Sequence, residues 1–162
     1  MALPYVFRPM TATDLPLVRR WLAEPHVVQW LGDTLQQFEL VSGDLEVEAM
    51  DQFIVATADR PFGYIQCYNP DVWPDNGLGE HPRGTRGIDQ FIGEPDMVDR
   101  GHGSAFIRAF IERVLATGAP RVITDPDPDN ARAIRAYEKA GFSRDRLVDT
   151  PDGTALLMVR NA

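Results

Sequence analysis

The sequence predicts an α/β fold, a mixed sheet of about seven strands flanked by four helices. Three observations predict it. The stretch 87–115 reads as strand, turn and helix. Ile88, Phe91 and Ile92 are apolar, Gly93, Pro95 and Asp96 mark a turn, and Phe106, Ile107, Phe110, Ile111, Val114 and Leu115 recur along one face of a 3.6-residue period. Two strand-like runs, 52–58 and 62–68, flank Asp59-Arg60-Pro61 and form a hairpin. Across the whole chain the segments follow the order β-α-α-β-β-β-α-β-α-β-β, which places helices on the faces of a mixed sheet.

Each element has a local cause. Residues 5–8 form a first strand, and Thr13-Asp14 caps a helix with Pro16 in its first turn and Leu15, Leu17, Val18, Trp21 and Leu22 as its apolar set. Glu24-Pro25 ends that helix, and 26–31 is a short helical turn. A second helix runs from 34 to about 48 with Leu35, Phe38 and Val41 inward, interrupted near Ser42-Gly43. Residues 69–84, rich in Pro, Gly, Asp and Asn, form a long loop. Strand 86–92, helix 103–116, strand 121–124 and helix 129–140 follow, then strands 144–149 and 154–160 around Pro151-Asp152-Gly153.

The 162 residues suffice for one domain, 1–162, with a buried core. Asp and Glu number 24 against 16 Lys and Arg, a net charge of −8 and a pI near 4.8. That balance argues against nucleic acid or an anionic membrane as partner and suits a cationic substrate. The single Cys67 excludes an intrachain disulfide, reads as a small core residue and fits a reducing, cytoplasmic compartment. No apolar run approaches the ~20 residues that span a bilayer, and Pro4, Arg8 and Pro9 interrupt any signal-peptide pattern. His26 and His81 lack the spacing of a metal site, so no metal is expected. The oligomeric state is open between monomer and homodimer.

Arg100-Gly101-His102-Gly103-Ser104-Ala105 opens the helix that follows strand 86–92. Amides in a first helical turn have no intrahelical acceptor, the helix dipole favours negative charge, and small residues admit a ligand close to the backbone. The segment reads as a pyrophosphate cradle. It lacks the lysine of a Walker loop, has Phe106 where a dinucleotide fingerprint needs its third glycine, and does not match the nucleophile elbow G-x-S-x-G. What remains, R-G-x-G-x-A between strand and helix, resembles the acetyl-coenzyme-A signature of the GNAT acyltransferase superfamily, Q/R-x-x-G-x-G/A. A second segment, N-x-x-A-I-x-x-Y-E-K-x-G-F at 130–142, is similar to the other strongly patterned GNAT block. The resemblance runs from Tyr5 to the end of the chain. Within the superfamily, R-G-I-D-Q at 86–90, D-P-x-P-x-N-x-R-A-I-R at 125–135, T-P-D-G at 150–153 and H-V-V-Q-W at 26–30 are most similar to aminoglycoside 6′-N-acetyltransferases.

The resemblance implies a mostly antiparallel, twisted sheet and acetyl-CoA as cosubstrate. Its phosphates would meet Arg100, Gly101, His102, Gly103 and Ser104, its pantetheine would lie along Gln90, Phe91 and Ile92, and Val98 and Asn130 would complete the contacts. Backbone N–H groups of that strand would polarise the acetyl carbonyl. A primary ammonium must lose a proton before it attacks. The matching aspartate, Asp89, would accept it, and the matching tyrosine, Tyr137, would protonate the departing thiolate. Strand alternation turns Asp89 opposite to Ile88 and Gln90. Trp30, Asp71, Trp73, Asp75, Asp125 and Asp152 would supply flat walls and carboxylates for a polycationic sugar. Where the family carries tryptophan pairs, this chain reads Trp30-Leu31 and Trp73-Pro74.

Each residue also has a plainer reading. Asp89 could be a solvated strand residue, Tyr137 a half-buried helix residue, and the loop carboxylates ordinary surface charges. Trp21 reads as core, and His102 as a loop residue whose amide matters more than its ring. Two other functions stay open. One is N-acylation of a hydroxylysine-type side chain in siderophore assembly, since related acyltransferases share a G-I-D-x-x-I-G strand. The other is a non-catalytic acyl-CoA-binding module.

Overall fold

β1 (Tyr5–Pro9) opens the chain in the computed structural model, which describes residues 5–58 and 60–162. A 3-10 turn at Ala12–Asp14 leads into α1 (Leu15–Leu22), α2 (Pro25–Leu31) and α3 (Thr34–Asp44). Then come β2 (Met50–Thr57), β3 (Arg60–Tyr68), β4 (Arg86–Ile92), α4 (His102–Ala116), β5 (Arg121–Thr124), α5 (Ala131–Lys139), β6 (Ser143–Thr150) and β7 (Gly153–Asn161). The strands form one sheet in the order β1-β2-β3-β4-β5-β7-β6. β1–β2, β5–β7 and β6–β7 are antiparallel and β4–β5 is parallel. The mixed, mostly antiparallel sheet of seven strands is therefore as expected.

The helices depart from expectation in three places. Among the described residues there are five, not four, because 25–31 is a seven-residue helix: Pro25 stops α1 and then opens α2 with its preset φ. α3 passes through Ser42-Gly43 without a break and ends at Asp44 rather than near Glu48. Its Leu35 points outward at 57% exposure, while Val41 and Phe38 face the core. Arg60 and Pro61 already belong to β3, where the Arg60 guanidinium pairs with Asp96 at 2.8 Å. Asp59 of the expected turn, like Pro4, lies outside the described residues.

The chain divides into two compact units, Met1–Gln66 with Gln90–His102, and Cys67–Asp89 with Gly103–Ala162. In the first, α1 buries Val18, Trp21 and Leu22, the i, i+3, i+4 set of an amphipathic helix. They pack with Met10, Val27, Val41, Ile54 and Tyr64, and with Phe38, Leu45 and Phe91 at the margin. The entry to α1 is fixed by Asp14, which accepts from both Arg8 guanidinium nitrogens at 2.8 and 2.9 Å and from the Thr11 amide at 3.0 Å. The bond from Arg8 is the largest of the effects that hold its carboxyl below the usual range.

In the second unit, α4 buries Phe106, Ile107, Phe110, Ile111 and Val114, as its period dictates. β7 lies between β5 and β6, from Arg121↔Asn161 on one side to Thr150↔Gly153 on the other. Leu78 leaves the 69–84 loop to join Ile123, Val148, Ala155 and Leu157 in a buried cluster. That loop is therefore pinned at its centre. Gly77, at φ 78°, makes this possible, since a Cβ there would lie 2.1 Å from the Asp149 carbonyl oxygen.

Candidate active site

Between β4 and α4 the chain makes a 3-10 turn at Pro95–Met97, then reaches Asp99 and Gly101 with φ of 60° and 84°. Gly101 needs its left-handed backbone, and a Cβ added there would meet no protein atom within 4 Å, so the space before it is open to a ligand. The two glycines of the cradle thus differ. Gly103 lies within the first turn of α4, and the positive φ belongs to Gly101. Arg100 is exposed, and Val98, Gly103 and Ser104 are half-buried. The His102 ring is anchored: its Nδ1 meets the Tyr5 hydroxyl at 2.9 Å and its face lies 5.4 Å from Phe62. His102 therefore packs its ring against Tyr5 and Phe62 within the first unit, a side-chain role that motif reading did not show.

In the same unit, Phe91 stacks on Tyr64 at 5.3 Å and meets the edge of Trp21 at 6.4 Å, so its side chain serves the core. The Ile92 carbonyl accepts from His26 Nε2 at 2.8 Å. A carbonyl only accepts, so His26 carries its proton on Nε2 and α2 fixes the end of β4. Gln90 is half-buried on this strand, and Trp30 is half-buried on α2.

The second unit gathers the titratable residues. β4 and β5 pair at Arg86↔Val122 and Gly87↔Ile123, and Thr124 Oγ1 donates to the Ile88 carbonyl at 3.1 Å. Asp89 and Asp125 each lie two residues past the last paired position, Gly87↔Ile123, Asp89 on β4 and Asp125 directly after β5. Their electrostatics agree. Burial, followed by negative charge on Asp89 and Asp152, pushes the Asp125 carboxyl up to about 8. Tyr68 feels the same cluster. Burial, then Asp89, Asp125, Tyr137 and Cys67, push its phenol well above the ordinary value. Tyr137 is buried on α5 with its ring edge against Phe142 at 5.4 Å. At the head of α5, Asn130 Oδ1 accepts from the Ala133 amide at 3.2 Å, which leaves Nδ2 as its outward donor.

Of the sequence-predicted acidic residues, Asp89 and Asp152 act on Asp125, and Tyr137 acts with Asp89 and Asp125 on Tyr68. Asp71 and Asp75 do not enter this cluster; both are exposed on the 69–84 loop, Asp71 in a turn closed by the Asn69 side chain. Trp73 is exposed on the same loop and meets Tyr68 edge-on at 5.9 Å. Tyr68 and His26 were the residues sequence reasoning missed. Tyr68 had one faint signal, a polar-ended aromatic closing a strand beside Gly87. Among the described residues no group of His, Cys, Asp and Glu could hold a metal ion, and no helix is long and apolar enough to cross a membrane. A carboxyl that keeps its proton to about pH 8 ionises readily beside a cation, so the cluster can receive ammonium groups and exchange protons with them.

The acetyltransferase (GNAT) domain model matches residues 10–150. An aminoglycoside N(6′)-acetyltransferase type 1 of Klebsiella pneumoniae is 35% identical over 167 aligned positions, 94% of this chain and 81% of that protein. A kanamycin resistance protein of Rhizobium radiobacter is 45% identical over 78 positions, 48% of this chain and 72% of its own length. The crystal structure of aminoglycoside acetyltransferase AAC(6′)-Ib with coenzyme A and kanamycin superimposes with a TM-score of 0.83 at 34% identity, covering 98% of this chain and 95% of that one. With a family match over most of its length and a relative 35% identical across 94% of it, this chain belongs to the GNAT acetyltransferase family.

Proposed function

We propose that the chain is a single-domain, acetyl-CoA-dependent N-acetyltransferase that moves the acetyl group to a primary amine of an aminoglycoside by direct attack in a ternary complex. The observation that carries this reading is the placement of Asp89 with Asp125, Asp152 and Tyr137, in a chain 35% identical to a 6′-acetyltransferase. Asp89 accepts a proton from the acceptor ammonium, and the amine nitrogen then bonds to the thioester carbonyl carbon. As the carbon–sulfur bond breaks, Tyr137 gives its phenolic proton to the sulfur and is reprotonated by solvent. Asp125 and Asp152 hold the other ammonium groups, and Trp73 offers a face to a sugar ring. Trp30, Asp71 and Asp75 extend the acceptor wall.

The cosubstrate is held by this chain's own groups. The amides from Arg100 to Ser104 meet its phosphates, Asn130 donates to it, and the 90–92 strand lines its pantetheine, with Val98 beside it. Gly101→Val tests this. A β-branched residue resists φ near 84° and fills the open space before the loop. Acetyl-CoA affinity by calorimetry should fall about tenfold or more, while circular dichroism stays native. Unchanged affinity in the folded variant would remove the cradle assignment.

The acceptor is tested by coupling CoA release to a thiol reagent, with kanamycin, a hydroxylysine-type amine and polyamines offered in turn. Kanamycin or a related sugar should be turned over. Its kcat/KM should fall as ionic strength rises, because a negative cleft focuses a polycation over roughly 10 Å at 0.1 M salt. The KM for acetyl-CoA should respond much less, since backbone amides act at short range. Turnover of the hydroxylysine-type amine alone would move the acceptor to the siderophore class, and no turnover with any amine would point to a binding module.

A further inference from the structure

Residues 91–94, at the end of β4 and just before the cradle loop, are gripped by α1 and α2. Trp21 of α1 meets Phe91 edge-on at 6.4 Å and leaves no room for a side chain at Gly93. Arg20 Nη2 donates to Glu94 Oε1 at 2.9 Å, and Glu94 is buried. The third contact differs in kind, because it reaches the backbone: His26 Nε2 of α2 donates to the Ile92 carbonyl at 2.8 Å. That carbonyl shares a peptide with the Gly93 amide, which donates to the Phe62 carbonyl of β3, also at 2.8 Å. In a trans peptide the C=O and N–H point in opposite directions, and none of the described peptides is cis. The Ile92–Gly93 peptide plane is thus held from both sides, by β3 through its N–H and by His26 through its C=O. Ile92 belongs to β4, so its own N–H points to the same edge as its C=O, away from Phe62.

We infer that His26 is a positioning residue for the cosubstrate: its Nε2–H sets the tilt of the Ile92 carbonyl, and with it the strand edge along which the pantetheine adds. The inference rests on the acetyltransferase reading above, in which the pantetheine pairs with 90–92 as a further strand. Such pairing depends on the direction of the backbone groups, since a hydrogen bond weakens steeply below about 120°. A carbonyl has two lone pairs, so His26 orients this one and leaves it able to accept from the pantetheine as well. Without the ring, the peptide is held through its N–H alone and is free to tilt about that bond.

His26→Leu removes the donor, and His26→Gln keeps an N–H at similar reach. In the folded Leu variant the acetyl-CoA Kd measured by calorimetry should rise about fivefold, the scale of one hydrogen bond, and in the Gln variant it should stay within about twofold of wild type. The acceptor KM should stay within about twofold in both. A Leu variant that loses thermal stability but binds acetyl-CoA like the wild type makes His26 a structural residue and overturns the proposal. A Gln variant as weak as Leu overturns it too, because the donor is then not what matters. So does an effect confined to the acceptor KM, which would place His26 with Trp30, one turn on in α2. Wild-type protein that fails to bind acetyl-CoA at all removes the acetyltransferase reading, and this inference with it. The histidine 1H–15N spectrum of resting wild type reads the contact without any variant. A slowly exchanging proton on His26 Nε2 supports the bond, and a bare Nε2 overturns it even if neither variant folds.

Discussion

Asp89→Asn lowers kcat/KM for the best aminoglycoside by ~10²–10⁴, the range expected when a general base is lost. The substitution keeps the shape of the side chain on β4, so acetyl-CoA affinity measured by calorimetry stays near wild type. The pH profile distinguishes a lost base from lost shape. In the wild type, kcat/KM rises with pH as Asp89 gives up its proton; in the variant that ascending limb flattens. Asp125→Asn is the matched comparison. Asp125 keeps its proton to about pH 8 and so carries little charge where Asp89 titrates; the substitution removes a cation contact, so its effect falls mainly on the acceptor KM and leaves the ascending limb near its wild-type position. Near-native turnover by Asp89→Asn would make Asp89 structural and place the base elsewhere.

Gly93→Ala destabilises the protein by about 3 kcal/mol or more, at the upper end for overpacking a filled core. A Cβ at this position would stand 2.1 Å from Cγ of Trp21 and 2.2 Å from its Cδ2, both atoms of a rigid ring. Trp21 has no accessible surface to retreat into, and Gly93 is itself held by its amide donating to the Phe62 carbonyl at 2.8 Å. For a domain of this length the thermal midpoint drops by roughly 6–12 °C. Gly43→Ala sets the opposite sign in the same assay. It lies within α3 with no atom near its added Cβ, so alanine raises stability by ~0.5–1 kcal/mol. A Gly93→Ala midpoint equal to wild type would show that Trp21 can move and that the packing about it is loose.

Some residues could be placed from local pattern alone and others could not. The buried stripe of α4, Phe106 to Val114, follows from spacing, because a helix face is set by residues within two turns of each other. β4 and β5 match their expected bounds for the same reason: short apolar runs between turn residues leave little freedom. Leu35 has the right spacing for the core and still faces solvent, since the neighbours that would cover it are remote in sequence. Gly101 and Gly103 look equivalent in the motif, and only the point where α4 begins, at His102, decides which one needs a left-handed backbone. His26 looked idle until α2 proved a true helix that aims its ring at the Ile92 carbonyl.

From sequence came the family, the order of the strands and of every helix but α2, and the residue types available for chemistry, because motifs, turn residues and hydrophobic periods are encoded over a few adjacent positions. The tertiary structure alone decided which of those residues meet. The charge of Asp89 reaches Asp125 although more than thirty residues separate them, which no local pattern specifies. Tyr68 enters the cluster because glycine at 87 leaves room for a ring from a different strand. Asp71, Asp75 and Asp152 are alike in sequence and all exposed, yet only Asp152 acts on Asp125. Charge and burial act through space, so the proton affinity of Asp125 is a property of the fold and not of its neighbours in the chain.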